Sequence, residues 1–169
     1  FAGRLAMAEQ QKILGRHTMD YRKNMRDYIN TEIKILQGLN IDELNDAANA
    51  ITQCRERGGK IFTIGNGGSA ATASHMVVDF GKGANECMKD AEKKFCIECL
   101  SDNTPTITAI ANDFSYEDIF LRQLQNKLTS NDLLIAISGS GNSRNIIKAV
   151  EYAKNIGASV VGITGISTP

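Results

Sequence analysis

The 169-residue chain reads as an α/β protein: a three-layer sandwich with a parallel sheet flanked by helices on both faces. Three observations predict this class. Short β-rich apolar runs alternate with amphipathic stretches along the chain, the pattern of βαβ units. Two of these runs, KIFTI and LLIAI, feed directly into glycine loops, Gly65-Asn66-Gly67-Gly68-Ser69 and Ser138-Gly139-Ser140-Gly141-Asn142-Ser143. Each loop opens a helix-compatible segment, so both lie where open parallel sheets bind ligands, beyond the carboxyl ends of the strands.

Residues 1–18, opening FAGRLAM, read as an N-terminal extension or an expression remnant and carry no prediction. Residues 19–38 are expected to be helical, because Met25, Tyr28, Ile29, Ile33 and Leu36 recur at helical spacing. A second helix is expected over 42–57, with Leu44, Ala47, Ala48, Ile51 and Cys54 as its apolar stripe. Asp42 is its expected N-cap and Gly58-Gly59 its stop. A strand over 60–64 runs into the first glycine loop, and a helix over 69–80 follows. Residues 81–94, GKGANECMKDAEKK, are polar and read as an exposed excursion.

Beyond it come a strand over 95–100, a turn at Ser101-Asp102-Asn103 and a short apolar segment, TPTITAIAND. A helix over 115–128 carries Ile119, Phe120, Leu124 and Leu128. A strand over 133–138 leads through the second loop to a helix over 142–156, with Ile146, Ile147, Val150 and Ala153 on one stripe. Gly157 ends it, and a strand over 159–164 follows.

Composition narrows the function. Nineteen Lys and Arg balance nineteen Asp and Glu, so no net field draws nucleic acid or an anionic membrane; any phosphate must be bound locally. No apolar run approaches the ~20 residues that span a bilayer, and the expected location is the cytoplasm. Cys54, Cys87, Cys96 and Cys99 are expected to be buried apolar residues of a reducing compartment. Cys96 and Cys99 share C-x-x-C spelling, but on a strand positions i and i+3 face opposite sides, and no second Cys/His pair lies near.

The two loops carry the chemistry. Glycines let backbone approach an anion closely, and amides at a helix start point at it. Neither loop has the Lys of a nucleotide P-loop, which argues against triphosphate hydrolysis. Gly65-x-Gly67-x-x-Ala70 loosely matches a dinucleotide fingerprint, but the acidic residue expected at the end of the next strand is missing. In the second loop Ser138, Ser140, Asn142 and Ser143 can satisfy a phosphate monoester without a cation. The helix after the first loop carries His75 and Asp79, i and i+4 on one face. Such a pair suits acid–base work, although in isolation it is more often a structural hydrogen bond.

At these residues the chain resembles the sugar isomerase (SIS) domain family, and within it the phosphoheptose isomerase group. GNGGSAATASH has that group's first loop and helix. ISGSGNSRNIIKAVEYAKNIGASVVGITG has its phosphate loop, helix and next strand, and TITAIANDFSYEDIFLRQL its middle segment. The similarity runs from about residue 20 to 165. It implies a flavodoxin-like topology over 19–169, an N-terminal helix extension, and assembly as dimers or tetramers. It implies isomerisation of a ketose phosphate to an aldose phosphate: sedoheptulose 7-phosphate to D-glycero-D-manno-heptose 7-phosphate, through an enediol. By residue match Ser138, Gly139, Ser140 and Ser143 would hold phosphate. Asn66, Gly67 and Ser69 would line the sugar end, and Asp113 the pocket. Asp79 would be the base, placed where the group has a Glu and expected to be buried so that its basicity suits the task. His75 would stand beside it, and the pair would form part of a possible zinc site, with no cofactor required. The resemblance also implies a further strand and a last helix after Pro169, bearing a Gln and a His. A replication-initiation relative of the same fold keeps an alternative open, a sugar-phosphate-binding scaffold that works through protein partners.

Overall fold

The computed structural model describes residues 19–88 and 93–165. The chain divides into two compact units, residues 1–41 and 42–169. The expected extension over 1–18 lies outside the described residues. The first unit contributes helix α1, Arg22–Gln37, which buries none of its residues.

The second unit begins essentially with α2, Ile41–Glu56, then β1, Lys60–Gly65 and α3, Gly68–Val78. Helix α3 runs without a break into a π-helical segment, Asp79–Ala84, and a last turn, Asn85–Cys87. Next come β2, Cys96–Cys99; α4, Thr104–Asp113; a 3₁₀ turn, Tyr116–Asp118; and α5, Leu121–Gln125. The chain continues through β3, Leu133–Ser138; α6, Arg144–Asn155; and β4, Ser159–Thr164. The four strands form a parallel sheet in the order β2-β1-β3-β4. Gly65 pairs with Ile137, and Ser138 with Thr164. The expected α/β class and flavodoxin-like order are therefore present.

Strand periodicity sorts the core into two layers. Phe62, Ile64, Leu134 and Ala136 face Ile119, Phe120 and Leu124 near α5 and Ile146, Ala149 and Ala153 of α6, with Ile107 and Ile110 of α4 at the margin. Ile61, Leu133, Ile135 and Ile137 face Cys54 of α2 and Ala73 of α3. Burying a side chain such as Phe62 or Ile64 is worth about 1.5–3 kcal/mol. Thr63, fully buried, donates its hydroxyl to Ala73 O at 2.9 Å and so pins α3 to the sheet. At the amino edge of the sheet the buried Asp132 carboxylate accepts from the amides of Lys60 and Thr129, at 2.7 and 2.8 Å, joining β1 to the start of β3.

Several expectations need correction. TPTITAIAND is a helix, not an unassigned segment. Asn103 caps it by accepting from Thr106 N–H at 3.0 Å, and Pro105 occupies its first turn. Its β-branched residues hide a helical stripe, Ile107, Ile110 and Ala111. The single helix expected over 115–128 is a 3₁₀ turn plus five residues of α-helix. Asp42 is not a cap; helix α2 starts at Ile41 and places Asp42 in its first turn. The excursion over 81–94 begins as the π-helical continuation of α3. Asn85 closes its base, accepting from Phe95 N–H at 2.8 Å and donating to Phe95 O at 3.0 Å. Of the cysteines, Cys54 and Cys99 are buried as expected, whereas Cys87 and Cys96 are exposed. Cys96 lies on the outward side of the edge strand β2, opposite Cys99.

Candidate active site

The chain leaves β1 through α3 toward β2 on one side, and leaves β3 through α6 toward β4 on the other. The strand order thus reverses between β1 and β3, and both glycine loops open at that switch point. The helices they start lie on opposite faces of the sheet.

In the first loop Gly65 is required by close approach: a Cβ there would sit 2.5 Å from the carbonyl carbon and oxygen of Ser69. Gly67 precedes α3 with φ +53°, a conformation that suits glycine, and no side chain caps the helix. The first closed bond of the turn runs from Ala70 N–H to Asn66 O. The earlier amides, at Gly68 and Ser69, therefore stand ahead of the helical ladder, positioned for an anion.

The second loop repeats the arrangement with hydroxyls added. Gly141 N–H closes a turn onto Ser138 O at 3.1 Å, and Gly141 itself has φ +68°. Ser143 is the N-cap of α6, yet its hydroxyl makes no cap bond. It is turned instead toward the buried Ser138, Oγ to Oγ at 3.3 Å. Ser140 Oγ accepts from Asn142 N–H at 3.2 Å, which leaves its hydroxyl hydrogen able to donate. Nothing lies within 4 Å of where a Gly139 side chain would begin, so backbone is open there.

A residue that the sequence reading passed over joins the two loops. Asn145, in the first turn of α6 and 3% exposed, exchanges both amide bonds with Asn66, each at 2.9 Å. Tyr116 Oη donates to the same Asn66 oxygen at 2.9 Å. The 3₁₀ turn bearing Tyr116 is tethered to α6 by Lys148, which pairs with Glu117 and Asp118 at 3.0 and 3.1 Å. The Ser115 hydroxyl, then Lys148, hold the Asp118 carboxyl below its ordinary range. A polar residue in the first turn, on the stripe that continues as Ala149 and Ala153, was the available signal for Asn145.

His75 and Asp79 pair as their spacing predicts, Nε2 to Oδ1 at 3.5 Å, but both are largely exposed, at 73% and 61%. The burial expected for Asp79 is absent: its side chain meets solvent at the residue where α3 gives way to the π-helical turn. Among the described residues no hydrogen bond ties the pair to either loop. Two donors fall short of the three protein ligands a catalytic zinc uses, and no cluster of three or more His, Cys, Asp or Glu able to hold a metal occurs among the described residues. Asp113 ends α4, exposed, its carboxylate accepting from the neighbouring Asn112 at 2.9 Å. No helix among the described residues is long and apolar enough to cross a membrane.

The architecture defines a class, a doubly wound α/β protein with two glycine loops at its switch point. Residues 21–165 match the SIS domain model, and the chain belongs to that family. It is similar to the phosphoheptose isomerase of Rhodospirillum rubrum, with 40% identity over 120 residues, 71% of this chain and 62% of the relative. It is also similar to the phosphoheptose isomerase of Alteromonas mediterranea, at 38% over 144 residues, 85% of this chain and 70% of the relative. The solved structure of phosphoheptose isomerase from Neisseria gonorrhoeae aligns with a TM-score of 0.75 at 30% identity, covering 86% of this chain and 75% of that one.

Proposed function

We propose that this chain isomerises sedoheptulose 7-phosphate to D-glycero-D-manno-heptose 7-phosphate through an enediol. The observation that carries the reading is the second loop. The serine that should cap α6 turns its hydroxyl away from the helix, toward Ser138, beside open backbone at Gly139. Such a cradle suits the phosphate end of a sugar phosphate, held by Ser138, Ser140, Ser143 and Gly139. Asn66, Gly67 and Ser69 then meet the sugar end across the switch point, and Asp113 contributes a polar wall.

Moving a carbonyl between C1 and C2 takes two proton movements. A base removes the proton on the carbon beside the carbonyl, giving an enediolate; a proton is then returned to the neighbouring carbon as the oxygens exchange theirs. In this reading Asp79 is the base, which takes up the carbon-bound proton, and His75, one turn away, tunes that carboxylate. Phosphate binding remote from the reacting carbons orients the chain for this step. Because Asp79 is exposed in the single chain, the reading includes a homo-oligomer whose assembly, with the bound sugar, excludes water from it.

The test is proton exchange at the carbon beside the carbonyl, followed by NMR in heavy water with sedoheptulose 7-phosphate. Asp79→Asn keeps the shape and removes the base, and exchange should slow ~10²–10⁴-fold. Exchange as fast as in the parent would place the base elsewhere. A parent protein that exchanges no ketose phosphate would end the isomerase reading.

A further inference from the structure

We infer that Asn145 and Tyr116 are positioning residues that lock the Asn66 amide so that it offers the ligand a hydrogen-bond donor and no acceptor. The inference rests on the proposed function and adds what the sugar must present at that point: an acceptor oxygen, the ketose carbonyl or the enediolate derived from it.

The orientation follows from a chain of donors. The Ile146 backbone N–H can only donate, and it divides between Ser143 O and Asn145 Oδ1, each at 3.0 Å. That fixes which end of the buried Asn145 amide is oxygen. Asn145 Oδ1 also receives Asn66 Nδ2, so Asn145 Nδ2 must donate back to Asn66 Oδ1, and it does, at 2.9 Å. Tyr116 Oη takes the remaining lone pair of Asn66 Oδ1 at 2.9 Å. A carbonyl oxygen has two lone pairs, and both are engaged. Of the Asn66 amide only the second N–H remains for a ligand, at the switch point between the loops. A flipped Asn66 would set oxygen against oxygen and nitrogen against nitrogen across the pair, a costly arrangement against Asn145, which is 3% exposed. A fixed donor aimed where negative charge develops stabilises it without reorganisation.

Two variants separate this role from simple structure. Tyr116→Phe deletes one hydroxyl from a residue that is 57% exposed, so the fold should stand. Asn145→Asp keeps the shape but replaces the donor to Asn66 by an oxygen. Affinities for sedoheptulose 7-phosphate and for inorganic phosphate are measured by calorimetry, alongside the side-chain amide signals of Asn66 in nitrogen-edited NMR. In the parent one Asn66 amide hydrogen should be protected from solvent exchange and the other should shift on adding the sugar phosphate. Tyr116→Phe should weaken the sugar phosphate about 2- to 10-fold, the scale of one net hydrogen bond, while inorganic phosphate binds it as it binds the parent; Asn145→Asp should weaken the sugar phosphate more. Equal sugar-phosphate affinity in parent and variants, or an Asn66 amide with both hydrogens exchanging freely, overturns the inference and leaves the isomerase reading intact. Equal loss for phosphate and sugar phosphate in Tyr116→Phe overturns it in favour of a purely structural role. A parent that binds sedoheptulose 7-phosphate no better than inorganic phosphate overturns both.

Discussion

Ser143 and Ser140 show how one hydroxyl can indicate a site. A serine at a helix start ordinarily accepts from its own helix, a contact worth about 0.5–2 kcal/mol. Here Ser143 forgoes that bond, and Ser140 holds an amide with its oxygen while its hydrogen stays available. If these hydroxyls grip phosphate, Ser140→Ala with Ser143→Ala should weaken phosphate-ester binding by ~1–3 kcal/mol, and unchanged calorimetric affinity would remove the loop from the binding account. The cysteines make a second residue-scale prediction. Burial pushes the Cys54 and Cys99 thiols up, which disfavours the reactive thiolate, whereas Cys87 and Cys96 are exposed. Alkylation of the native protein read by mass spectrometry should mark Cys87 and Cys96 first, and Cys54 and Cys99 only after denaturant is added. Labelling of Cys54 at the rate of Cys96 would contradict the packing of α2 on the sheet.

At the scale of elements, the join between β1 and α3 is held close by backbone packing. A methyl group at Gly65 would collide with backbone, the Ser69 carbonyl, which cannot rotate aside as a side chain can. Gly65→Ala should therefore move the start of α3, costing about 1–3 kcal/mol and several degrees in Tm by calorimetry, and phosphate-ester affinity should fall with it. A variant as stable as the parent would mean the loop yields more readily than its packing implies. The π-helical turn after α3 is the other informative element. Such turns are rare and recur at functional sites. This one begins at Asp79, the residue proposed as base. Residues 115–128 carry a different lesson. Their apolar spacing suggests one long helix, yet the chain breaks into a 3₁₀ turn and a short helix. The break sets Tyr116 against Asn66, a contact fifty residues apart in sequence.

The whole molecule is organised around one topological event, the reversal of winding between β1 and β3. Both loops, the Asn66–Asn145 pair and the Tyr116 hydroxyl meet there. Helix α1 belongs to the other compact unit. Met25, Tyr28, Ile29, Ile33 and Leu36 lie exposed along it, and a stripe of this size seeks cover. Light scattering at micromolar concentration should report an oligomer of identical chains, and a clean monomer would leave the exposure of Asp79 unanswered.

Much of this was determined by local sequence. Alternating runs and stripes dictate a parallel α/β sheet, since strand and helix periods are set by the backbone alone. The glycine loops declare themselves because a side chain at Gly65 would meet backbone and because side chains rarely adopt the positive φ found at Gly67 and Gly141. The i and i+4 pairing of His75 with Asp79 also follows from helix geometry. Tertiary structure alone decided the rest. Asn145 looks like an ordinary polar residue in a helix until β1 and β3 stand side by side and bring Asn66 against it. The helix at TPTITAIAND is hidden by β-branched residues whose propensity is weak beside the Asn103 cap and the packing of Ile107 and Ile110 on the core. The exposure of Asp79 depends on where α3 yields to a π turn and on what faces it. Periodicity reads contacts along one element; contacts between elements are set by the sheet order that brings distant residues together.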